Sequence, residues 1–203
     1  MAIITKVEVQ KKDKNRVNLY IDEEFYCGLD LDTCVKYGLK KDLELSDEKL
    51  KIVIFDAQKN DAFNKSVNYL GSALKTKKQL RDYLKKKEFS EEIIEYVIEK
   101  MVEYRYLDDA HFVDSYYKTY KNKYGNNKMK YNLISKGVSK TIVEEYFDNL
   151  EEDNSEVLYN LALKKLGNKE KTRENLDKVY RFLVSRGFDF DEVTSVIKKL
   201  KED

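Results

Sequence analysis

Few side chains in this sequence combine the residue type and the spacing that catalysis or metal binding requires. The chain has a single histidine, His111, which excludes a site built from several histidines. Its two cysteines, Cys27 and Cys34, are seven positions apart, which matches neither a zinc-binding pair nor a CxxC redox motif. Asp108 and Asp109 could form an acid–base pair, but adjacent residues on a helix do not face each other. We therefore predict no catalytic residue and no metal site.

The glycines give no sign of a nucleotide or cofactor site. The seven of them form neither the GxGxxG nor the GxxxxGK[ST] pattern of phosphate-binding loops, so we expect no cofactor. No apolar run approaches the roughly 20 residues that a membrane-spanning helix needs. Because no signal peptide is evident either, we expect a cytoplasmic protein with reduced cysteines and no contact with a membrane.

Charge is the feature that points to a binding partner. The 39 basic and 38 acidic residues give a formal net charge of +1, so any polyanion must be bound by a local patch. Seven lysines, five tyrosines and no acid lie between Ser115 and Val143, and seven acids with no lysine or arginine follow between Glu144 and Glu156. Lysines neutralise phosphate or carboxylate charge and tyrosine rings add contact area. A partner-binding surface is therefore predicted, with a solvated helix face as the open alternative.

The predicted binding residues come mainly from this basic stretch, with two more from a second basic cluster at 75–87. They are Lys118, Lys121, Lys123, Lys128, Lys130, Tyr116, Tyr120 and Tyr124, with Arg81 and Lys85 as second choice.

The elements that must position these residues differ along the chain. Up to residue 45 the pattern predicts strands at 3–10, 16–21 and 25–29 and a short helix at 31–37 that ends at Gly38. Two or three short strands are marginal alone, so we expect this segment to pack against its neighbour.

From Ser46 onward the sequence predicts only helices. Ser46 and Ser90 are N-caps followed by acidic residues, and Thr76–Gln79 is a T-x-x-Q capping box. Asp108 or Asp109 caps a helix that we expect to end at Gly125. The first helix should run to about residue 74, with a break left open. Further helices are predicted at 127–136, 139–150, 155–166, 173–186 and 190–202, with Gly137, Gly167 and Gly187 at C-terminal stops.

An internal repeat with a period near 50 residues runs through the helical part. Phe89, Val138 and Phe188 anchor it, separated by 49 and 50 residues. Apolar residues recur five and nine positions before each anchor and five, eight, nine and twelve positions after it, which places them on one face of each flanking helix. The second residue before each anchor is always basic: Lys87, Lys136 and Arg186.

This repeat predicts a mainly α fold. We expect three tandem three-helix repeats in an elongated curved arrangement, preceded by a small β-rich N-terminal segment. The predicted boundaries are 1–45 for the β-rich segment and 46–107, 108–152 and 153–203 for the three repeats.

Three strings in the helical part resemble the RecX family of recombination regulators. They are Leu80–Phe89 (LRDYLKKKEF), Tyr106–Phe112 (YLDDAHF) and Leu133–Val138 (LISKGV), in the order typical of that family, and the resemblance spans roughly residues 57–200. The chain departs from the family pattern at Glu88 and Arg105, where glycines are expected. We expect Glu88 to mean either that its helix end needs no positive φ or that the backbone is strained there.

The resemblance implies a non-enzymatic regulator of the RecA recombinase. Such a protein would bind along the RecA–DNA filament and inhibit the ATPase, strand-exchange and coprotease activities of RecA in recombination, DNA repair and the SOS response. We expect a monomer, and weak direct contact with single- or double-stranded DNA stays open. Two alternatives stay open on the residues alone: an independent nucleic-acid-binding helical repeat protein and an interaction scaffold for another partner.

Overall fold

The structure, a computed structural model, describes residues 1–150 and 154–202. It is mostly helical with a small N-terminal antiparallel sheet, so the predicted fold class is confirmed. The elements are β1 Ala2–Val9, β2 Arg16–Ile21, β3 Glu24–Asp30, α1 Leu31–Lys36, β4 Glu44–Leu45, α2 Asp47–Leu70, α3 Lys77–Lys86, α4 Glu91–Glu103, α5 Asp109–Tyr120, α6 Asn126–Ser135, α7 Lys140–Asp148, α8 Ser155–Leu166, α9 Arg173–Ser185 and α10 Phe190–Glu202.

The chain forms two compact units. The first comprises residues 1–74 and 80–107, and the second comprises residues 75–79 and the chain from residue 108 onward. The predicted division of the chain at residues 45, 107 and 152 is a finer one and stays a prediction.

The N-terminal sheet has the strand order β3-β2-β1-β4. Buried and partly exposed side chains alternate along β2. The buried ones, Val17, Leu19 and Ile21, belong to a core to which α2 also contributes residues. The three predicted strands are confirmed, whereas β4 was not predicted, because a strand of two residues is too short to show alternation. The expected packing against a neighbour is provided by the first half of α2.

Helix α2 runs for 24 residues without a break. The Ser46 side chain caps it by accepting a hydrogen bond from the Lys49 N–H at 3.2 Å. Leu50 and Val53 belong to the core under the sheet, and Ala62 belongs to the core that α3 and α4 build. One continuous helix therefore serves two cores.

The three predicted repeat anchors occupy equivalent positions. Their N–H groups donate to the carbonyl of the leucine five residues earlier, at 3.4 Å for Phe89, 3.2 Å for Val138 and 3.4 Å for Phe188. Val138 and Phe188 are buried in their cores, and Phe89 packs half-buried against its own. The chain thus repeats one helix–turn–helix geometry three times, as the spacing predicts; we call α2–α4, α5–α7 and α8–α10 the first, second and third repeats.

Three local expectations about helix ends are also tested by the structure. Glu88 has φ 63° and Arg105 has φ 60°, so the expectation that the helix end at Glu88 needs no positive φ is wrong, and the alternative of a strained backbone holds. Helix α5 ends at Tyr120 and not at Gly125, which instead precedes α6 as its N-cap residue. The capping box is confirmed, since Thr76 and Gln79 exchange hydrogen bonds of 3.0 and 3.2 Å.

At the start of α5 the structure distinguishes the two aspartates. Asp108 is the N-cap and accepts from the His111 N–H at 2.9 Å. Asp109 is buried and accepts from the Lys77 N–H at 3.1 Å, and burial raises the pKa of its carboxyl. Both side chains therefore have structural partners. None of the described helices is long and apolar enough to cross a membrane.

Candidate partner-binding surface

The tyrosines of the basic stretch form a ladder along α5 and the turn that follows it. Phe112, Tyr116, Tyr120 and Tyr124 are spaced by four residues, so they share one side of the helix and its continuation. Successive ring centroids lie 6.3, 4.4 and 5.7 Å apart. These distances match offset contacts between aromatic rings.

The ladder forms one wall of a cavity of about 340 Å³ between α5 and α6. We call this cavity the tyrosine groove; it is lined by Tyr116, Tyr120, Tyr124, Asn132, Ser135 and Lys136. The Asn132 side-chain amide donates to the Tyr116 hydroxyl at 3.0 Å. Burial raises the pKa of Tyr116, so this hydroxyl stays protonated at neutral pH and remains a hydrogen-bonding group.

Cations surround the Tyr124 end of the groove. The Lys128 Nζ lies 5.1 Å and the Arg186 guanidinium 5.4 Å from the centre of the Tyr124 ring, within the range of cation–π contacts. The same side chains bond to the backbone, Lys128 to the Ser185 carbonyl at 3.1 Å and Arg186 to the Lys123 carbonyl at 3.4 Å. Lys128 and Tyr124 therefore also stabilise the contact between the second and third repeats.

The structure places Lys118 on the other side of α5. Its Nζ lies 2.7 Å from the Asp114 carboxylate, which holds the pKa of that carboxyl below its usual range. The Tyr146 hydroxyl of α7 donates to the same carboxylate at 3.0 Å, whereas Tyr116 bonds to α6. Lys118 thus faces α7, and the tyrosine groove faces α6.

Two further predicted lysines also lie towards α7. The Lys121 Nζ is 5.8 Å from the ring of the buried Tyr117, and that ring contacts Tyr146 and Phe147 of α7. The Lys130 Nζ is 3.7 Å from the Asp148 carboxylate and 5.5 Å from the Phe147 ring. The structure therefore brings only part of the predicted binding residues together. The three tyrosines and Lys128 lie at the groove, whereas Lys118, Lys121 and Lys130 lie elsewhere.

Lys123 and Lys136 are the cations best placed to meet a partner near the groove. Lys123 is exposed and Lys136 lines the groove. Neither ammonium group has a carboxylate partner among residues 1–150 and 154–202. Their charge is therefore not neutralised within the described part of the chain.

Arg81 and Lys85, the second-choice residues, lie in the first compact unit and are paired internally. Arg81 donates to Glu91 at 2.7 Å and to both carboxylate oxygens of Glu95, one of them at 2.9 Å. Lys85 lies 3.1 Å from Glu91. The ion pair raises the pKa of Arg81 and lowers that of Glu95. Two glutamates of α4 thus already compensate these cations.

Sequence reasoning missed several groove residues. Asn132 and Ser135 carry no distinctive signal. Lys136 and Arg186, which contacts the Tyr124 ring beside the groove, do carry a signal, because both stand two positions before a repeat anchor, where every repeat has a basic residue. Reading that recurring basic position as functional would have added them to the predicted set. Rings, hydroxyls and cations in this arrangement can bind a partner by stacking, hydrogen bonding and charge.

Comparison with known proteins gives consistent matches along the chain. Family models described as "Regulatory protein RecX N-terminal domain", "RecX, first three-helix domain" and "RecX, third three-helix domain" match residues 2–46, 62–101 and 151–197. "Regulatory protein RecX" of Clostridium perfringens (strain 13 / Type A) is 37% identical over 205 residues, covering 98% of this chain and 97% of that protein. The protein of the same description from Clostridioides difficile (strain 630) is 34% identical, covering 98% and 96%.

Solved structures show the same likeness. The "Crystal structure of regulatory protein RecX" superposes with a TM-score of 0.72 at 25% identity and covers 98% of this chain and all of that one. The "Crystal structure of RecX from Lactobacillus salivarius" superposes with a TM-score of 0.65 at 25% identity and covers 72% of this chain and 98% of that one.

Proposed function

Because the chain belongs to the RecX family of regulatory proteins, we propose that it binds the RecA–DNA filament and inhibits RecA without catalysing a reaction itself. The inhibited activities are the RecA ATPase, strand exchange and coprotease activity, and the protein acts in the cytoplasm as a monomer.

The tyrosine groove is the observation that carries this proposal. It joins stacked rings and hydrogen-bonding hydroxyls on a helical repeat to lysines that have no carboxylate partner in the described part of the chain, which suits contact with a large anionic assembly. We propose that Tyr116, Tyr120 and Tyr124 provide the central contacts and that Lys123 and Lys128 provide charge at one end. Lys118, Lys121 and Lys130 form a second basic edge, and Arg81 and Lys85 contribute least because glutamates compensate them.

The direct test is RecA assembled on single-stranded DNA. Wild-type protein added at substoichiometric to equimolar amounts should slow ATP hydrolysis and strand exchange. Unchanged rates, together with unchanged filament assembly, would contradict the proposal.

A tyrosine variant and its matched control test the groove. Tyr120→Ala removes the central ring of the groove and should weaken inhibition roughly tenfold, since ring stacking contributes strongly to binding. Tyr131→Ala is its matched control, because Tyr131 is a tyrosine of α6 that is 71% exposed and does not line the groove. If both variants inhibit like the wild type, the groove is not the contact surface.

The basic edge is tested by charge reversal. Lys118→Glu, Lys121→Glu and Lys130→Glu combined should weaken filament binding while the helical circular dichroism stays unchanged. The same three-charge reversal at Lys11, Lys12 and Lys14, in the exposed turn after β1, is the control for net charge. If inhibition survives the first triple variant unchanged, that edge is only a solvated helix face.

A second candidate function is direct binding of naked single-stranded DNA, which the ring ladder favours because bases stack on aromatic side chains. It predicts binding of an oligonucleotide without RecA that weakens steeply with salt. Inhibition of RecA under conditions in which no oligonucleotide binds would exclude it.

A further inference from the structure

The third repeat has a cavity of its own, on helices that the tyrosine groove does not use. It measures about 410 Å³ and lies between α8 and α9. The buried residues Leu166 and Val179 and the half-buried Phe182 form its floor. Four exposed cations line its edge: Lys165, Lys169, Lys178 and Arg181. No acidic side chain is among the described residues that line it.

The local sequence explains this combination. On α9, Lys178 and Phe182 are four residues apart and Arg181 follows Lys178 by three, so all three lie on one side of the helix. On α8, Lys165 lies in the last turn, where a cation also suits the helix dipole, and Lys169 follows in the loop after the helix.

Most of this charge is not compensated within the described chain. Lys178 is paired with Glu174 at 2.6 Å. Lys165, Lys169 and Arg181 have no carboxylate partner among residues 1–150 and 154–202. The Arg181 side chain donates a hydrogen bond to the Asp177 carbonyl at 3.3 Å. Three positive charges therefore surround an apolar floor.

We propose that this cavity, which we call the repeat-3 pocket, binds an acidic peptide segment of a protein partner that carries an apolar side chain. Carboxylates of the segment meet Lys165, Lys169 and Arg181, and the apolar side chain fills the cavity above its floor, where it packs against the half-buried Phe182. Burying apolar surface between helices adds affinity that charge alone does not provide.

The same geometry disfavours a nucleic acid as the occupant. A single strand would bring bases to stack on the aromatic ring of the pocket. The Lys165 Nζ and the Arg186 guanidinium already lie 5.0 Å from the centre of the Phe182 ring, so a base would have to displace a cation to stack there. A phosphate backbone also has no apolar group for the floor.

The test uses the full chain and a fluorescein-labelled twelve-residue peptide composed of Asp, Glu, Leu and Phe. Fluorescence anisotropy should show binding that weakens as NaCl increases. Two control peptides dissect the pocket: one has Asn and Gln in place of Asp and Glu, and the other has Ser in place of Leu and Phe. Both should bind at least several-fold more weakly.

Variants locate the contact. Lys165→Glu, Lys169→Glu and Arg181→Glu combined should weaken peptide binding roughly tenfold, because three exposed ion pairs are lost and replaced by repulsion. Lys164→Glu, Lys171→Glu and Lys198→Glu combined change the net charge equally at exposed residues outside the pocket and should bind like the wild type. If the first triple variant does not fold, the triple Gln variant at the same positions takes its place.

Three results would overturn the proposal. The first is that the wild type binds no acidic peptide, and the second is that both triple variants bind the peptide equally well. The third is that a twelve-nucleotide single strand binds the pocket and the peptide does not. None of these measurements involves RecA. A failure here is therefore distinct from a failure of the proposed function.

Discussion

The turn of the first repeat and the turns of the second and third repeats follow the same backbone path with different residues. In each, the N–H groups of the residues just before the anchor bond back to the end of the preceding helix. The left-handed position is Glu88 in the first turn, with φ 63°, and Gly137 and Gly187 in the others, with φ 91° and 84°. A side chain is therefore compatible with the turn itself.

Packing explains the difference. A Cβ on Gly137 would lie 2.2 Å from the Cβ of Lys78, which belongs to the same compact unit. A Cβ on Gly187 would lie 2.3 Å from the Lys128 Cβ and 2.4 Å from its backbone nitrogen. Glu88 is exposed. Glycine is therefore required at these turns where a helix start packs closely on them, and not by the left-handed conformation alone.

The largest expected effect is loss of stability when the contact between the second and third repeats is obstructed. Gly125 faces Gly187 with an ordinary φ of −74°, and a Cβ there would lie 2.3 Å from the Gly187 carbonyl oxygen. Gly125→Ala and Gly187→Ala should each lower the free energy of unfolding by about 2–4 kcal/mol, since backbone must shift in both cases. Urea unfolding followed by circular dichroism measures the loss.

Gly38→Ala is the matched control for backbone strain. Gly38 has φ 59°, and a Cβ there would meet nothing within 4 Å. Its substitution should lower the free energy of unfolding by about 1 kcal/mol, the cost of a left-handed non-glycine residue. If Gly125→Ala lowers the free energy of unfolding no more than Gly38→Ala does, close packing does not account for the glycines.

In the turn of the first repeat we expect a substitution to raise the free energy of unfolding, by a smaller amount than the glycine substitutions lower it. Glu88→Gly removes the strain of a positive φ and creates no contact, so it should stabilise the protein by about 0.5–1 kcal/mol after the greater flexibility of glycine in the unfolded chain is deducted. Thermal unfolding of the two proteins side by side measures this. A destabilised Glu88→Gly variant would mean that the Glu88 side chain is needed at this turn.

The smallest effect concerns acid stability in the first compact unit. Asp56 on α2 accepts from Lys36 at 2.6 Å, from Tyr37 at 2.5 Å and from Lys59 at 2.7 Å. These hydrogen bonds, with Lys36 the strongest influence, hold the pKa of the Asp56 carboxyl well below its usual value of 3.8. The stabilisation is therefore present above about pH 3.8 and is lost as pH falls further.

Asp56→Asn should accordingly be less stable than the wild type at pH 7 and should lose less stability on acidification below pH 4. Unfolding curves of both proteins between pH 2 and 7 provide the measurement. Parallel curves over this range would contradict the assignment. In the second unit Asp109 provides a contrast, because burial raises the pKa of its carboxyl.

Local signals in the sequence predicted most of the fold. The caps at Ser46 and Ser90, the capping box at Thr76 and the anchor spacing each depend on residues within a few turns of one another. The sequence could not show which residues meet across the structure. The pairing of Arg81 with Glu95, the facing glycines 125 and 187, and the burial of Asp109 all depend on how helices pack.

The candidate site shows the same limit. The lysines and tyrosines are contiguous in sequence, which predicted one surface, but helix geometry turns Lys118 towards α7 and Tyr116 towards α6. A sequence pattern identifies which residue types a surface contains. The angular position of each residue around the helix decides which of them lie on the same surface.

Binding of the RecA filament through the tyrosine groove is tested most directly by cryo-electron microscopy of the protein on RecA filaments assembled on single-stranded DNA. We expect density for the protein along the filament, with the tyrosine groove and Lys123 against RecA or its DNA. Bound protein whose α5–α6 side faces solvent, or filaments that carry no bound protein at saturating concentration, would contradict it.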